Sequence, residues 1–222
     1  MSGPLSSFAA IPLSTPRQGK TATWRGGLYN LADPRPGDIN LNEICEALAS
    51  INRYNGLGRA CWSVAQHTLL CLRIARAIDA DPAADLYIGL HDAHEALIGD
   101  QTTPQQYAFD IVLAEKFPGL PADAFRQVRA ALAARWDAAI CTSFRIPMPT
   151  TPIVATVAKI DRLALVFEAS VLFERPQDLG VPEAEAAFNR PQAMRLMNEI
   201  GMAYPNPSAV ADKLAREIRR LA

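Results

Sequence analysis

The sequence predicts an all-α fold, a bundle or orthogonal array of about seven to eight helices with at most a short N-terminal hairpin. Three observations carry this. Apolar residues recur at helical spacing from residue 38 onward, beginning with Leu41, Ile44, Cys45, Leu48 and Ile51 on one face. Cap and breaker residues punctuate the successive runs, as in Ser63, Asp81-Pro82, Thr103-Pro104 and Pro118-Gly119. Strand-like composition near the start is confined to one short stretch, 23–29.

Residues 1–22 are rich in Ser, Pro, Gly and Ala without a sustained period, and read as a flexible or loosely docked arm. This leaves 23–222 as a single domain. Within it, 23–29 suits a short strand or small hairpin, broken by the Pro-rich segment 33–38. The first helix runs over 38–51, with Asp38 or Asn40 as cap, and stops at Asn55-Gly56-Leu57-Gly58. Ser63 caps a second helix to about residue 78. Asp81-Pro82, cap then first-turn proline, opens a third that ends at Gly99. A fourth starts at Thr103-Pro104 and reaches Phe117, and a fifth spans Pro121 to Cys141. After the proline-rich crossing 147–152, a sixth continues to about Arg175. Segments 182–200 and 207–221 complete the set, the last with Arg216, Arg219 and Arg220 near its C-terminal end, where they suit the dipole.

With 222 residues, half of them hydrophobic, the chain can bury a substantial core. A net charge of −1 gives no basic footprint for a nucleic-acid polymer or an anionic membrane. The four cysteines, Cys45, Cys61, Cys71 and Cys141, lack C-x-x-C spacing and read as small buried hydrophobes in a reducing compartment. The N-terminus shows no apolar leader, and no run reaches the ~18 apolar residues of a membrane span. These features predict a cytoplasmic protein with no membrane partner.

The chemistry is concentrated in Y-I-G-L-H-D-A-H-E-A-L-I-G-D, residues 87–100. Two of the three histidines, His91 and His94, stand here beside Asp92 and Glu95, inside an otherwise apolar run. On a continuous helix His91 and Glu95 would share a face, with Asp92 about 100° round. A buried His-Asp pair is costly unless its charge is matched, by hydrogen-bond partners in the core or by a cation. The third histidine, His67, is set into another apolar helical run, and Asp161 into a third. Two imidazoles and two carboxylates make a mixed nitrogen and oxygen set suited to one divalent ion: Mn, Co, Fe, Zn or Mg.

A distant His, a His-Asp doublet and a later Asp resemble the pattern of the HD-domain phosphohydrolases. The run H-D-A-H-E-A-L-I-G-D followed by T-T-P is similar to the 5'-deoxynucleotidase branch, which includes phage enzymes hydrolysing dATP. The likeness extends over about residues 39–174. It implies an HD-domain bundle in which His67, His91, Asp92 and Asp161 are the metal ligands. It implies Glu95 as the acid-base residue that orients a water, and Asp100 as the second carboxylate near the scissile bond. It also implies Arg53 and Tyr54 as the Arg-aromatic pair at the sugar and phosphate end. Three departures are visible: Gln66 stands where many relatives have Glu, Gln105-Gln106 follow Thr-Pro where a relative has Lys, and Tyr54 replaces Trp.

The expected activity is metal-dependent hydrolysis of phosphate from 2'-deoxynucleotides, either monophosphates or dATP and other triphosphates. A second Mg²⁺ could arrive with a triphosphate. The competing class is a non-catalytic HD module that binds a nucleotide or a partner protein as a sensor. The resemblance also implies a homo-oligomer in the cytoplasm, or in the host's for a phage-encoded enzyme. Some residues keep two readings. Asp100 either assists proton delivery or caps the 102–104 turn. His94 either contacts substrate or fills space behind the ligands. Arg53 and Tyr54 suit a phosphate fork and a stacking face, or equally a surface Arg and a buried Tyr. Glu168, seven residues after Asp161, is a pocket contact or a surface residue.

Overall fold

The computed structural model of the chain describes residues 20–22, 28–202 and 206–222. Asn40 Oδ1 accepts the backbone N–H groups of Asn42 and Glu43 and opens α1 (Leu41–Ser50). Ser63 opens α2 (Val64–Ala77) with a reciprocal box: its hydroxyl accepts from Gln66 N–H, and Gln66 Oε1 accepts from Ser63 N–H at 2.9 Å. Gln66 therefore serves as a capping residue, and its Nε2 also donates to the Gly201 carbonyl. Helices α5 (Thr103–Lys116), α6 (Ala124–Ser143), α7 (Thr151–Leu172), α8 (Glu183–Ile200) and α9 (Pro207–Leu221) stand where the sequence predicts them. The expected all-α bundle with a short N-terminal hairpin is what forms.

That hairpin pairs β1 (Lys20–Ala22) antiparallel with β2 (Leu28–Asn30), Thr21 opposite Tyr29. Lys20, Thr21 and Ala22, assigned to the arm by composition, are thus a strand. The rest of the arm, 1–19, and most of the strand-like stretch, 23–27, lie outside the described residues.

The third helix departs from expectation. It is two short pieces, α3 (Asp85–Leu90) and α4 (Glu95–Ile98). Between them the N–H groups of Ala93 and Glu95 donate to the carbonyls three residues back, Leu90 and Asp92. This tighter winding eclipses residues three apart, not four. His91 and His94 therefore share one side and Asp92 and Glu95 another, so the predicted superposition of His91 and Glu95 is corrected. Gly99, at φ 82°, ends α4 in a conformation that costs glycine nothing.

Helix α2 is the hub, packed against α1, α3, α7, α8 and α9. Its Leu69, Leu70, Leu72 and Ile74 are all buried. Each such side chain contributes about 1.5–3 kcal/mol, which offsets the cost of holding the polar His67 on the same helix. One continuous apolar cluster joins these helices, drawing also on Ile140 of α6. Gly89 lets α3 approach α9 closely: a Cβ there would meet Ile218 Cγ1 at 3.3 Å. Helix α5 is peripheral, its one buried residue Asp110 held by the Phe125 N–H and the Arg126 guanidinium of α6. Among the described residues, no helix is long and apolar enough to cross a membrane.

Candidate metal centre

Helix α2 carries His67 at zero exposure, α7 brings Asp161 and Glu168 two turns apart, and the tight turn after α3 supplies His91 and Asp92. His67 Nε2 lies 3.3 Å from His91 Nε2, 3.1 Å from Asp161 Oδ1 and 3.5 Å from Asp92 Oδ2. His91 Nε2 is 3.1 Å from Asp92 Oδ2. A single ion with bonds of about 2.0–2.1 Å sets neighbouring donors about 3.0–3.4 Å apart. The His67–His91, His67–Asp161 and His91–Asp92 pairs stand at that spacing, with Asp92 slightly farther from His67. Cys71, one turn after His67, adds its Sγ at 3.5 Å from His67 Nε2. His67, Cys71, His91 and Asp161 form a group able to hold a metal ion.

The outer nitrogens are fixed. Glu168 Oε1 accepts from His67 Nδ1 at 2.7 Å, and the Ile88 carbonyl accepts from His91 Nδ1 at 2.7 Å. A carbonyl can only accept, so the proton of His91 sits on Nδ1 and its Nε2 is turned inward. Carboxylate or carbonyl support behind the imidazole is the usual way a metal-binding histidine is oriented.

Glu168 proves central. It is fully buried and accepts from Arg53 Nε at 3.1 Å, Tyr54 OH at 2.5 Å, Trp62 Nε1 at 2.8 Å and His67 Nδ1. Burial works to raise its pKa, but the Arg53 charge, then the His67 charge and hydrogen bond, outweigh it and hold it at about 2. Arg53 and Tyr54 are thus tied inward by one carboxylate. The outer guanidinium nitrogen of Arg53 still lies 3.9 Å from Asp92 Oδ2, facing the centre. Tyr54 takes a left-handed backbone, φ 57°, and its ring meets the edge of Phe173 at 5.0 Å. Such a conformation costs of order 1–3 kcal/mol and persists because the Glu168 contacts overdetermine it.

Burial opposes the charge on His91, but Asp92 beside it outweighs this and moves its pKa up to about 9. For His67, burial and Arg53 oppose the charge, while the Cys71 sulfur, Glu168 and Asp161 prevail and push the pKa well above the ordinary value. Asp92 is held far below the usual carboxylate range: burial resists, and His91, His67 and Arg53 win. The cluster thus demands positive charge, which either protons on the imidazoles or a cation can supply.

Glu95 is buried, and its pKa is pushed up to about 8 by that burial and by the charges of Asp92 and Asp100. Oε1 accepts from Arg129 NH2 at 3.3 Å. Oε2 and Arg129 Nε are buried and, among the described residues, have no hydrogen-bond partner. Asp100 makes no side-chain hydrogen bond to the 102–104 turn among the described residues. Its pKa is raised by burial, with Arg53 opposing and Asp92 adding. His94 Nδ1 is 3.0 Å from Asp137 Oδ1 on α6.

A cavity of about 310 Å³ opens from His91 and Asp161, walled by Leu90, Ile140, Met148, Val157 and others, with Asp137 on its rim. A second hollow of about 590 Å³ lies away from the donors, between the hairpin, α1 and the start of α9.

No family model matches the chain. An uncharacterized protein of Rhodobacter capsulatus is 30% identical over 201 residues, which cover 86% of this chain and 90% of that protein. The two chains belong to one family.

Sequence reasoning missed Arg129 and Asp137, left Glu168 undecided, and read Cys71 as an inert core residue. Cys71 carried a usable signal, since a residue four after a candidate ligand on a helix shares its face. Arg129 and Asp137 carried none, because α6 meets the site only through the fold.

Proposed function

We propose that this chain is a metal-dependent phosphohydrolase of 2'-deoxynucleotides, with His67, His91, Asp92 and Asp161 holding a divalent ion. The approach of those four side chains, with both Nε2 atoms near Asp92 and that of His67 also near Asp161, is the observation that carries the reading. The similarity of the 87–104 segment to the 5'-deoxynucleotidase branch supplies the substrate class.

A bound divalent ion would neutralise phosphoryl oxygens and acidify a water held beside them. Glu95 takes the proton of the attacking water on Oε2, the buried oxygen without a partner; its pKa of about 8 suits a base working near neutrality. Asp100, which the resemblance makes the second carboxylate near the scissile bond, delivers a proton to the leaving oxygen. The guanidiniums of Arg53 and Arg129 hold the phosphoryl anion, and the 310 Å³ cavity, largely apolar, receives sugar and base. Exposed Tyr107 and Ile111, one turn apart on α5, offer an apolar strip for self-association.

A sensor module has no use for an unpartnered carboxylate beside the ion, so this oxygen favours catalysis over binding alone. Phosphate release from a panel of dNMPs and dNTPs, with Mn²⁺, Co²⁺ or Mg²⁺ and ribonucleotide controls, tests the reading. Absence of release from every deoxynucleotide by metal-loaded protein would reject it in favour of the sensor. Glu95→Gln is expected to retain metal while losing about 10²–10⁴ in rate, the usual contribution of a positioned acid or base. Full activity in that variant would remove Glu95 as the base.

A further inference from the structure

His67 and Cys71 are both buried, one helical turn apart on the same face of α2. The Sγ atom approaches Nε2, the ring nitrogen turned toward the other donors, at 3.5 Å. The ligand atoms of His67, Cys71, His91 and Asp161 all lie within 4.8 Å of one another. A tetrahedral ion with bonds of about 2.05 Å to nitrogen and about 2.3 Å to sulfur separates a nitrogen–sulfur pair by about 3.6 Å and two nitrogens by about 3.3 Å. The observed separations are 3.5 Å and 3.3 Å. A cysteine buried as a plain hydrophobe would have carbon around its sulfur. This one belongs to the apolar cluster but also has His67 Nε2 at 3.5 Å and donors of His91 and Asp161 within 4.8 Å.

We propose that Cys71 is a ligand of this centre, and that the centre selects a borderline ion such as Zn²⁺, Co²⁺ or Fe²⁺ over Mg²⁺. The inference rests on the reading of His67, His91 and Asp161 as donors to one ion. Thiolate is a soft donor that favours such ions, whereas Mg²⁺ keeps oxygen ligands and gives up its water reluctantly. On binding, the Cys71 S–H proton passes to solvent and Sγ bonds the ion; no electron is transferred. Asp92, 3.1 Å from His91 Nε2, stands beside this four-donor group as a further carboxylate.

The test is titration of chelator-stripped, full-length protein with Co²⁺ without oxygen, followed by absorption. Saturation at a single equivalent should bring a near-ultraviolet thiolate-to-cobalt charge-transfer band. Cys71→Ser should lose that band, and a Cys61→Ser/Cys141→Ser double variant should keep it. The double variant, together with a Cys45→Ala variant that also keeps the band, leaves Cys71 as its source even if Cys71→Ser fails to fold. Zn²⁺ should displace the band and excess Mg²⁺ should not. Stoichiometric Co²⁺ with only weak visible bands overturns Cys71 as a ligand while leaving the His and Asp centre standing. Retention of the band in folded Cys71→Ser, or its loss in the double variant, also overturns the assignment. Displacement by Mg²⁺ overturns the ion preference. Failure to retain Co²⁺ at all removes this inference and the metal reading together.

Discussion

Replacing Glu168 by alanine is expected to cost about 3–5 kcal/mol of unfolding free energy, the range for removing one partner of a buried charged pair. Four donors from three segments end on this carboxylate: Arg53 Nε, Tyr54 OH, Trp62 Nε1 and His67 Nδ1. Truncation leaves the Arg53 cation with only the more distant Asp92, 3.9 Å away, as a near counter-charge, and takes this acceptor from Tyr54, Trp62 and His67. It also frees the His67 ring to turn, so metal affinity should fall roughly 10–100-fold, as it does when a support behind a histidine ligand is lost. Urea unfolding and metal titration of wild type and Glu168→Ala check both effects, and a loss below about 1 kcal/mol would contradict the network's importance. The same carboxylate gives an acid limb. Its folded pKa of about 2 lies below the ordinary 4.5, so its contribution is complete above 4.5 and disappears as pH falls from 4.5 through 2. Glu168→Gln, which keeps the shape and removes the charge, should flatten that limb.

Adding metal should stabilise the chelator-stripped protein more at high pH than at low pH. In the metal-free protein the pKa of His91 is raised from 6.5 to about 9, chiefly by Asp92 against the pull of burial. Its proton-linked stability is complete below 6.5 and is lost as pH rises through 9. The ion requires the deprotonated ring, so its binding strengthens over the same interval. Saturation at 100 times Kd contributes about 2.7 kcal/mol, or roughly 5–10 °C in Tm for a chain of this size. The Co²⁺-induced Tm shift should therefore grow between pH 6.5 and pH 9, and His67→Ala should abolish it. A shift that is equal across the range, or that survives His67→Ala, would show that the ion binds elsewhere.

Much of the fold was legible because it is local chemistry. Asn40, one of the two caps expected, and Ser63 cap their helices, and Gln66 completes the box three residues on. Three of the four residues whose donors cluster were legible for a different reason: polar residues set into apolar helical runs are expensive, so His67, His91 and Asp161 drew attention wherever they stood. The break after Leu90 was not legible. Tyr87 to Ile98 reads as one amphipathic helix, and only tertiary packing decided that Ala93 and Glu95 would bond three residues back.

The sequence by itself determined most of the helices and their caps, and it picked out His67, His91 and Asp161, three of the four residues whose donors cluster, because each rests on neighbours within a few residues. Only the tertiary structure decided what surrounds them. Glu168 meets Arg53, Tyr54, Trp62 and His67 across 101 to 115 residues, and Arg129 reaches Glu95 from another helix 34 residues away. Such partnerships follow from how helices pack, and no local spacing along a chain encodes which distant carboxylate will share a buried space with which guanidinium.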